Sequence, residues 1–331
     1  MIVFARSQAP AWERGVGSSI FQYRNIMKTI ALLNNSIQEY EWGSFTAIPK
    51  LLGAKWPFDK PAAELWIGAH PKAPSKVYYN KKWISLLNLL EEYPEDILGK
   101  ETASKFKNRL PFLFKVLAAE KPLSIQAHPD RTQAIEGFEK ENQLKIALNA
   151  FNRNYRDENH KPELICALTP FEALNGFRPV NEIIANIEKV CPNSLKEEKE
   201  YLLSKPGETG VKAFFHSLLT MEYDRKKAVI ESAIINISDS MKNEPCFKWM
   251  IKLYEQYPDD IGAFSPLILN LVVLNSGQAM FIASKQLHGY LNGVGIEVMA
   301  NSDNVLRVGL TSKHIDTEEL LKVLDFKERK I

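Results

Sequence analysis

The sequence predicts a mainly β protein interrupted by an all-helical insertion. Two changes of hydrophobic period carry that prediction. From Lys28 to about Gly176, short apolar runs alternate with turn residues; from Pro179 to Asp260, apolar residues recur at helical spacing; from Leu267 the strand pattern returns. Strands on both sides of a helical block imply one β-domain, residues 28–178 and 262–317, opened by an insertion over 179–261. A chain of 331 residues is also longer than one ordinary core requires.

Taken in order, residues 1–27 lack patterning and read as a disordered extension or a mis-called start. Pro111–Leu117 and Pro122–His128 each read as a strand entered through proline, where a missing N–H costs least. Asp130 then suits the N-cap of a helix through Thr132–Lys140. In the insertion, Ile183, Ile187 and Val190 keep helical spacing, as do Phe214 and Leu218, and Lys226–Ile237 and Pro245–Tyr257 read as amphipathic helices. Composition shifts at Asp259, Asp260 and Gly262. Leu267–Leu274, Ala279–Ala283, His288–Leu291, Ile296–Met299 and Val305–Val308 then read as strands.

Charge and cysteine usage narrow the function classes. The net charge of +2 is the difference of 42 basic and 40 acidic residues spread along the chain. No basic stripe tracks a phosphate backbone, so nucleic acid is not an expected partner, whereas a small anion needs only two or three placed cations. Cys166, Cys191 and Cys246 lack metal spacing and leave an odd thiol, which fits a reducing cytoplasm. No run is long enough to span a membrane, and the opening MIVFARSQAP is too short in apolar residues for a signal peptide.

Four segments carry chemistry. Within Leu123–Asp130, strand alternation points Leu123, Ile125 and Ala127 one way and Ser124, Gln126 and His128 the other. The polar face is costly in a dry core, and it lets Gln126 and His128 converge on one metal ion. An extended Asn159–Glu163 puts Lys161 and Glu163 on one face, with Glu163 as the single anionic ligand. In Leu287–Gly293, His288, Tyr290 and Asn292 share a face opposite Leu287 and Leu291. Two histidines, a carboxylate and an amide oxygen suit Zn²⁺ with a position left for water or substrate. In Asn301–Gly309 a polar turn feeds a strand whose face carries Val305, Arg307 and Gly309, and an inward Arg suits a phosphate or a developing enediolate. Each segment alone also has a plain reading: a core histidine held by hydrogen bonds, a half-exposed strand, a surface ion pair at Arg307, a solvated Lys161. Glu64 and His70 read as groups that satisfy nearby backbone, and Cys166 as core filler.

Together the segments resemble the type I phosphomannose isomerase family. The resemblance runs in order through Asn35–Gly43 (NSIQEYEWG), Ala63–Pro71, Pro111–Leu117, Leu123–Asp130, Asn159–Glu163, Phe171–Arg178 (FEALNGFR), His288–Gly293 and Ser302–Gly309, covering about residues 28 to 326. It implies a cupin-type jelly-roll β-barrel with a helical insertion, and one zinc held by Gln126, His128, Glu163 and His288. It implies Arg307 as the active-site arginine, with Lys115, Ser124, Glu297 and Lys313 as pocket residues. Tyr290 joins Lys115, Ser124 and Lys313 as an expected substrate contact. The implied reaction interconverts mannose 6-phosphate and fructose 6-phosphate through an enediol in a cytoplasmic monomer. Lys161 is the first candidate base, Glu297 its competitor, with His160 and Asp303 behind. Ser276-Gly-Gln278 departs from the family's Pro-Gly-Glu turn. The family also continues past Phe326, so 318–331 reads as the remnant of a link to a missing C-terminal β-domain, whose loss is expected to bare strand edges or apolar surface. Rival expectations are a non-haem iron cupin and a non-catalytic sugar-phosphate binder inactivated by truncation.

Overall fold

The computed structural model describes residues 30–330; the reading made for 1–27 lies outside them. The chain divides into two compact units at Ala118/Ala119. The first holds β1 (Leu33–Asn34), β2 (Ser36–Gln38), α1 (Ala47–Leu51), β3 (Glu64–Ile67), β4 (Lys76–Tyr79), β5 (Lys82–Ser85), α2 (Leu86–Glu92), α3 (Pro94–Leu98), α4 (Lys100–Lys105) and β6 (Phe112–Ala119). Here β2, β3 and β6 form one antiparallel ladder and β1, β4 and β5 another. The sequence reading took this stretch as strands alone. Two of its helices start where proline or glycine sets them: Pro94 occupies the first turn of α3, where no N–H is needed, and Gly99 separates α3 from α4.

The second unit carries β7 (Ile125–Ala127), α5 (Arg131–Gln143), β8 (Glu163–Ala167) and β9 (Phe171–Phe177), then five helices: α6 (Val180–Val190), α7 (Lys196–Ser204), α8 (Glu208–Thr220), α9 (Tyr223–Asn236) and α10 (Pro245–Gln256). A 3₁₀ turn at Ile261–Phe264, α11 (Ser265–Ile268), β10 (Leu269–Leu274), β11 (Ala279–Ile282), β12 (His288–Ala300), β13 (Leu306–Gly309) and α12 (Thr317–Val323) follow. Asp130 closes a full capping box on α5, its side chain accepting from Gln133 N while the Gln133 side chain accepts from Asp130 N.

Two antiparallel sheets share one strand. The N-terminal half of β12 lies between β7 and β9, giving the order β13–β7–β12–β9–β10, and its C-terminal half pairs with β8, which pairs with β11. The sequence reading split this strand into 288–291 and 296–299. Instead the pairing to β9 shifts register between Tyr290 and Asn292, a bulge, and Gly293 takes φ +123°. A Cβ there would stand 2.7 Å from Pro170 O and 2.8 Å from Phe171 Cα, so only glycine fits. The bulge also places Asn292 outside the face that carries His288 and Tyr290: its side chain is exposed and donates to the carbonyls of Ala119 and Glu120.

Other differences are smaller. Pro122–His128 pairs as a strand only from Ile125, since upstream Leu123 N alone reaches β12, at Tyr290 O. The strand expected from Leu267 begins at Leu269, because Pro266 starts a short helix first. The five helices share a continuous apolar core with the first sheet: Ile125, Ala127, Leu174 and Phe177 join Ile183, Phe214, Ile230 and Phe247. The same core takes in Leu320, Val323 and Phe326, whose ring stacks on Phe177 at 5.4 Å, so the segment read as a residual link packs as part of this unit.

Candidate metal centre and active site

One row of paired residues positions the site. Arg307 on β13 stands opposite Gln126 on β7, Gln126 opposite His288 on β12, and His288 opposite Asn175 on β9. Directly opposed residues of antiparallel strands project to the same face. A guanidinium, two amides and an imidazole therefore line one side of the first sheet. His128 follows β7 by one residue, and Glu163 opens β8 on the second sheet.

His128, Glu163 and His288 are buried, and their ligand atoms lie within 4.8 Å of one another. His128 Nδ1 is 2.7 Å from Asn304 O and His288 Nδ1 is 3.0 Å from Gln286 O. A carbonyl only accepts, so both Nδ1 atoms carry the proton and both Nε2 atoms keep a lone pair. These lone pairs face a carboxylate: His128 Nε2 is 3.1 Å from Glu163 Oε1, and His288 Nε2 is 3.4 Å from Glu163 Oε2. Both Nε2 atoms are buried and make no hydrogen bond. Acceptors converging on acceptors away from water are unfavourable unless a cation lies among them. The imidazole–carboxylate–imidazole set fits a divalent metal, and the register brings Gln126 alongside as an amide donor.

The electrostatics agree. Burial, then the Lys161 cation, holds the His128 imidazolium down to about pKa 4, so the ring is a neutral ligand at pH 7. Burial alone would raise the Glu163 pKa; Lys161 and the His128 contacts reverse that and hold it well below the usual carboxylate range.

Around this core, Lys161 Nζ lies 3.2 Å from Glu163 Oε1, and Tyr290 donates its hydroxyl to Glu297 Oε1 at 3.1 Å and Glu163 Oε2 at 3.4 Å. Burial, with both carboxylates, raises the Tyr290 pKa well above its usual value and keeps the phenol a donor. The structure thus gathers His128, Glu163, His288, Lys161, Tyr290 and Glu297 into one buried constellation, with Gln126 and Arg307 on the adjoining row. Burial and the neighbouring Arg156 lower the Arg307 pKa. Ser124 sits in the connection before β7, and Lys313 is exposed in the loop after β13. His160 is half-buried, and Asp303 donates its backbone N–H to Asp157. Lys115 belongs to the first unit, where it is buried 3.4 Å from Glu64. Glu64 there accepts the Trp66 indole N–H at 2.6 Å, a side-chain role rather than the backbone one expected, while His70 Nδ1 does accept a backbone N–H, from Lys72.

Sequence reasoning missed three groups. Gln286 fixes the His288 tautomer through its carbonyl, which no residue-type pattern reveals. Asn175 is buried beside His288 with its Oδ1 accepting no hydrogen bond, and the conspicuous FEALNGFR segment was the available signal. Asn304, wholly buried, lies in the polar turn before Arg307, where a turn residue ordinarily faces water.

Two sheets sharing a strand, two imidazoles and a carboxylate aimed at one point, and a buried lysine and a half-buried arginine nearby define a metal-dependent enzyme of the cupin type. Two family models match: the catalytic domain of type I phosphomannose isomerase over residues 30–180 and its helical insertion domain over 187–269. The mannose-6-phosphate isomerase of Escherichia coli is 45% identical over 301 residues, 90% of this chain and 75% of that one. The human mannose-6-phosphate isomerase is 36% identical over 320 residues, 89% of this chain and 72% of that one. A zinc-bound mannose 6-phosphate isomerase crystal structure superposes with TM-score 0.83 at 44% identity, covering 91% of this chain and 76% of that one. A variant of the Salmonella typhimurium phosphomannose isomerase gives TM-score 0.84 at 44% identity over the same share of each chain. This chain belongs to the type I phosphomannose isomerase family.

Proposed function

We propose that this chain is a zinc-dependent aldose–ketose isomerase interconverting D-mannose 6-phosphate and D-fructose 6-phosphate. The observation that carries the reading is the pair of buried, unbonded Nε2 lone pairs of His128 and His288 facing Glu163. His128, Glu163, His288 and Gln126 are the ligands we assign. Zinc bound by them supplies Lewis acidity toward the open-chain sugar oxygens.

The chain's own groups do the rest. In the forward direction the C2 proton leaves, the carbonyl oxygen on C1 gains a proton, and the resulting enediol loses its O2 proton as C1 accepts one. A base must reach both carbons, and Lys161 and Glu297 are the two candidates inside the constellation. Tyr290 holds Glu297 and Glu163 in place through one hydroxyl. Arg307, half-buried on the row beside Gln126, offsets negative charge that develops on O1 and O2. Ser124, Lys313 and Lys115 remain candidates for sugar or phosphate contacts. We read the protein as a cytoplasmic monomer; among the described residues no helix is long and apolar enough to cross a membrane.

The test is a coupled assay for fructose 6-phosphate formation before chelation, after it, and after zinc return. Activity lost and restored supports the isomerase. Binding of mannose 6-phosphate by zinc-loaded protein without conversion favours the non-catalytic binder.

A further inference from the structure

Two loops that flank the ligands are joined by one fully buried side chain. Asn304 Oδ1 accepts the backbone N–H of Arg156 at 2.6 Å and of Asp157 at 3.2 Å. Its Nδ2 donates to Asp157 O at 2.8 Å and Asn159 O at 2.9 Å. The amide thus has partners for both its oxygen and its nitrogen inside residues 156–159, the segment that delivers Lys161 and Glu163. Asp157 answers from the other side: Oδ1 accepts from Ser302 Oγ at 2.8 Å and from Asn159 N at 2.9 Å, and Oδ2 accepts from Asp303 N at 2.8 Å. Ser302 Oγ in turn accepts from Asn304 N at 3.2 Å. The main-chain carbonyl of Asn304 is the group that receives His128 Nδ1–H.

We propose that Asn304, clasped by Asp157 and Ser302, is a positioning residue of the metal centre: its carbonyl selects the metal-binding tautomer of His128 while its side chain sets where the Lys161–Glu163 segment runs. This rests on the metal reading above. Among the described residues no other carbonyl or carboxylate hydrogen-bonds to His128 Nδ1, so a displaced Asn304 leaves the ring able to place its proton on Nε2, which abolishes the ligand lone pair. Arg307 follows three residues on, so the same anchor fixes the start of the strand that carries it.

The probe is zinc alone, titrated into this chain after stripping with chelator, with ¹⁵N-histidine spectra of the zinc-free form. Asn304→Asp keeps the shape but turns an acceptor toward the two carbonyls and the Asp157 carboxylate that Nδ2 now serves. Expected are a 10–100-fold weaker zinc affinity and loss of the pure Nδ1–H signature of His128. Ser302→Ala trims the clasp without burying a charge and should move both readouts the same way by a smaller factor, so the proposal stays testable if Asn304→Asp does not fold. Val229→Ala, in the helical part of the core, controls for lost stability and should leave both readouts unmoved. Parental zinc affinity and an unchanged His128 spectrum in the clasp variants, with only thermal stability reduced, would overturn the proposal. A parent that binds no zinc, or binds it equally after His128→Ala, would instead overturn the metal reading itself.

Discussion

Glu163→Gln separates the charge of the central carboxylate from its shape. In the structure Glu163 has four neighbours: His128 Nε2 and Lys161 Nζ at 3.1 and 3.2 Å on one oxygen, His288 Nε2 and the Tyr290 hydroxyl, each at 3.4 Å, on the other. The amide preserves the volume and removes the only anion among the proposed ligands. Two losses follow. Lys161, whose side chain is 9% exposed, loses the carboxylate 3.2 Å from its Nζ, and orphaning one member of a buried pair costs about 3–5 kcal/mol. Zinc at about 1,000 times its Kd stabilises the native parent by roughly 4 kcal/mol. At roughly 2–4 °C per kcal/mol for a unit of this size, that is a rise of about 8–16 °C in Tm on adding zinc. Differential scanning fluorimetry of parent and variant, each with chelator and with zinc, reads both losses. The variant should start lower than the chelated parent and gain little from zinc. A variant that rises with zinc as far as the parent would refute the carboxylate as a ligand; one whose chelated form matches the chelated parent would refute the buried Lys161–Glu163 pair.

Four further outcomes follow from the same geometry. Arg307→Ala should lower kcat by about 10²–10³ with zinc content unchanged by metal analysis, since the guanidinium acts on developing charge rather than on the ion; loss of zinc would make it structural. Of Lys161→Met and Glu297→Gln, the one that stops wash-in of solvent deuterium at C1 and C2 while retaining zinc identifies the base, and near-normal exchange in Lys161→Met rules out the lysine. His128 titrates near pH 4 in the fold against 6.5 unfolded, so the unfolded chain binds its proton first; chelated protein should lose about 3 kcal/mol as pH falls from 6.5 to 4, measured by urea unfolding, with His128→Gln flattening that slope. Gly293→Ala should lower stability and turnover together, because its methyl meets the 170–171 backbone; parental values for both would show that the bulge tolerates a side chain.

The grouping of His128, Glu163 and His288 was legible because strand alternation is local and these residue types are out of place in a dry core. Gln126 and His128 sit two apart, and Lys161 and Glu163 two apart, so face assignments needed no tertiary information. What alternation could not reveal is where it breaks. A single extra residue at the β12 bulge reverses the parity of everything after it, which is why Asn292 was assigned to the site face and faces outward instead. The helices of the first unit were missed for a different reason: five to seven residues between strands are too few for a period to declare itself.

The same bulge explains how one strand serves both sheets. Tyr290 and Glu297 are seven apart, an odd spacing that would set them on opposite faces of a regular strand. With one residue absorbed at the bulge they fall on the same face, and the phenol stands 3.1 Å from the carboxylate. Because β12 pairs with β7 before the bulge and with β8 after it, His288 meets His128 from one sheet and Glu163 from the other. The candidate metal centre therefore sits where the shared strand changes partners. Gly293, which is not among the proposed ligands, occupies this junction with φ +123°, where a side chain would meet the backbone of Pro170 and Phe171.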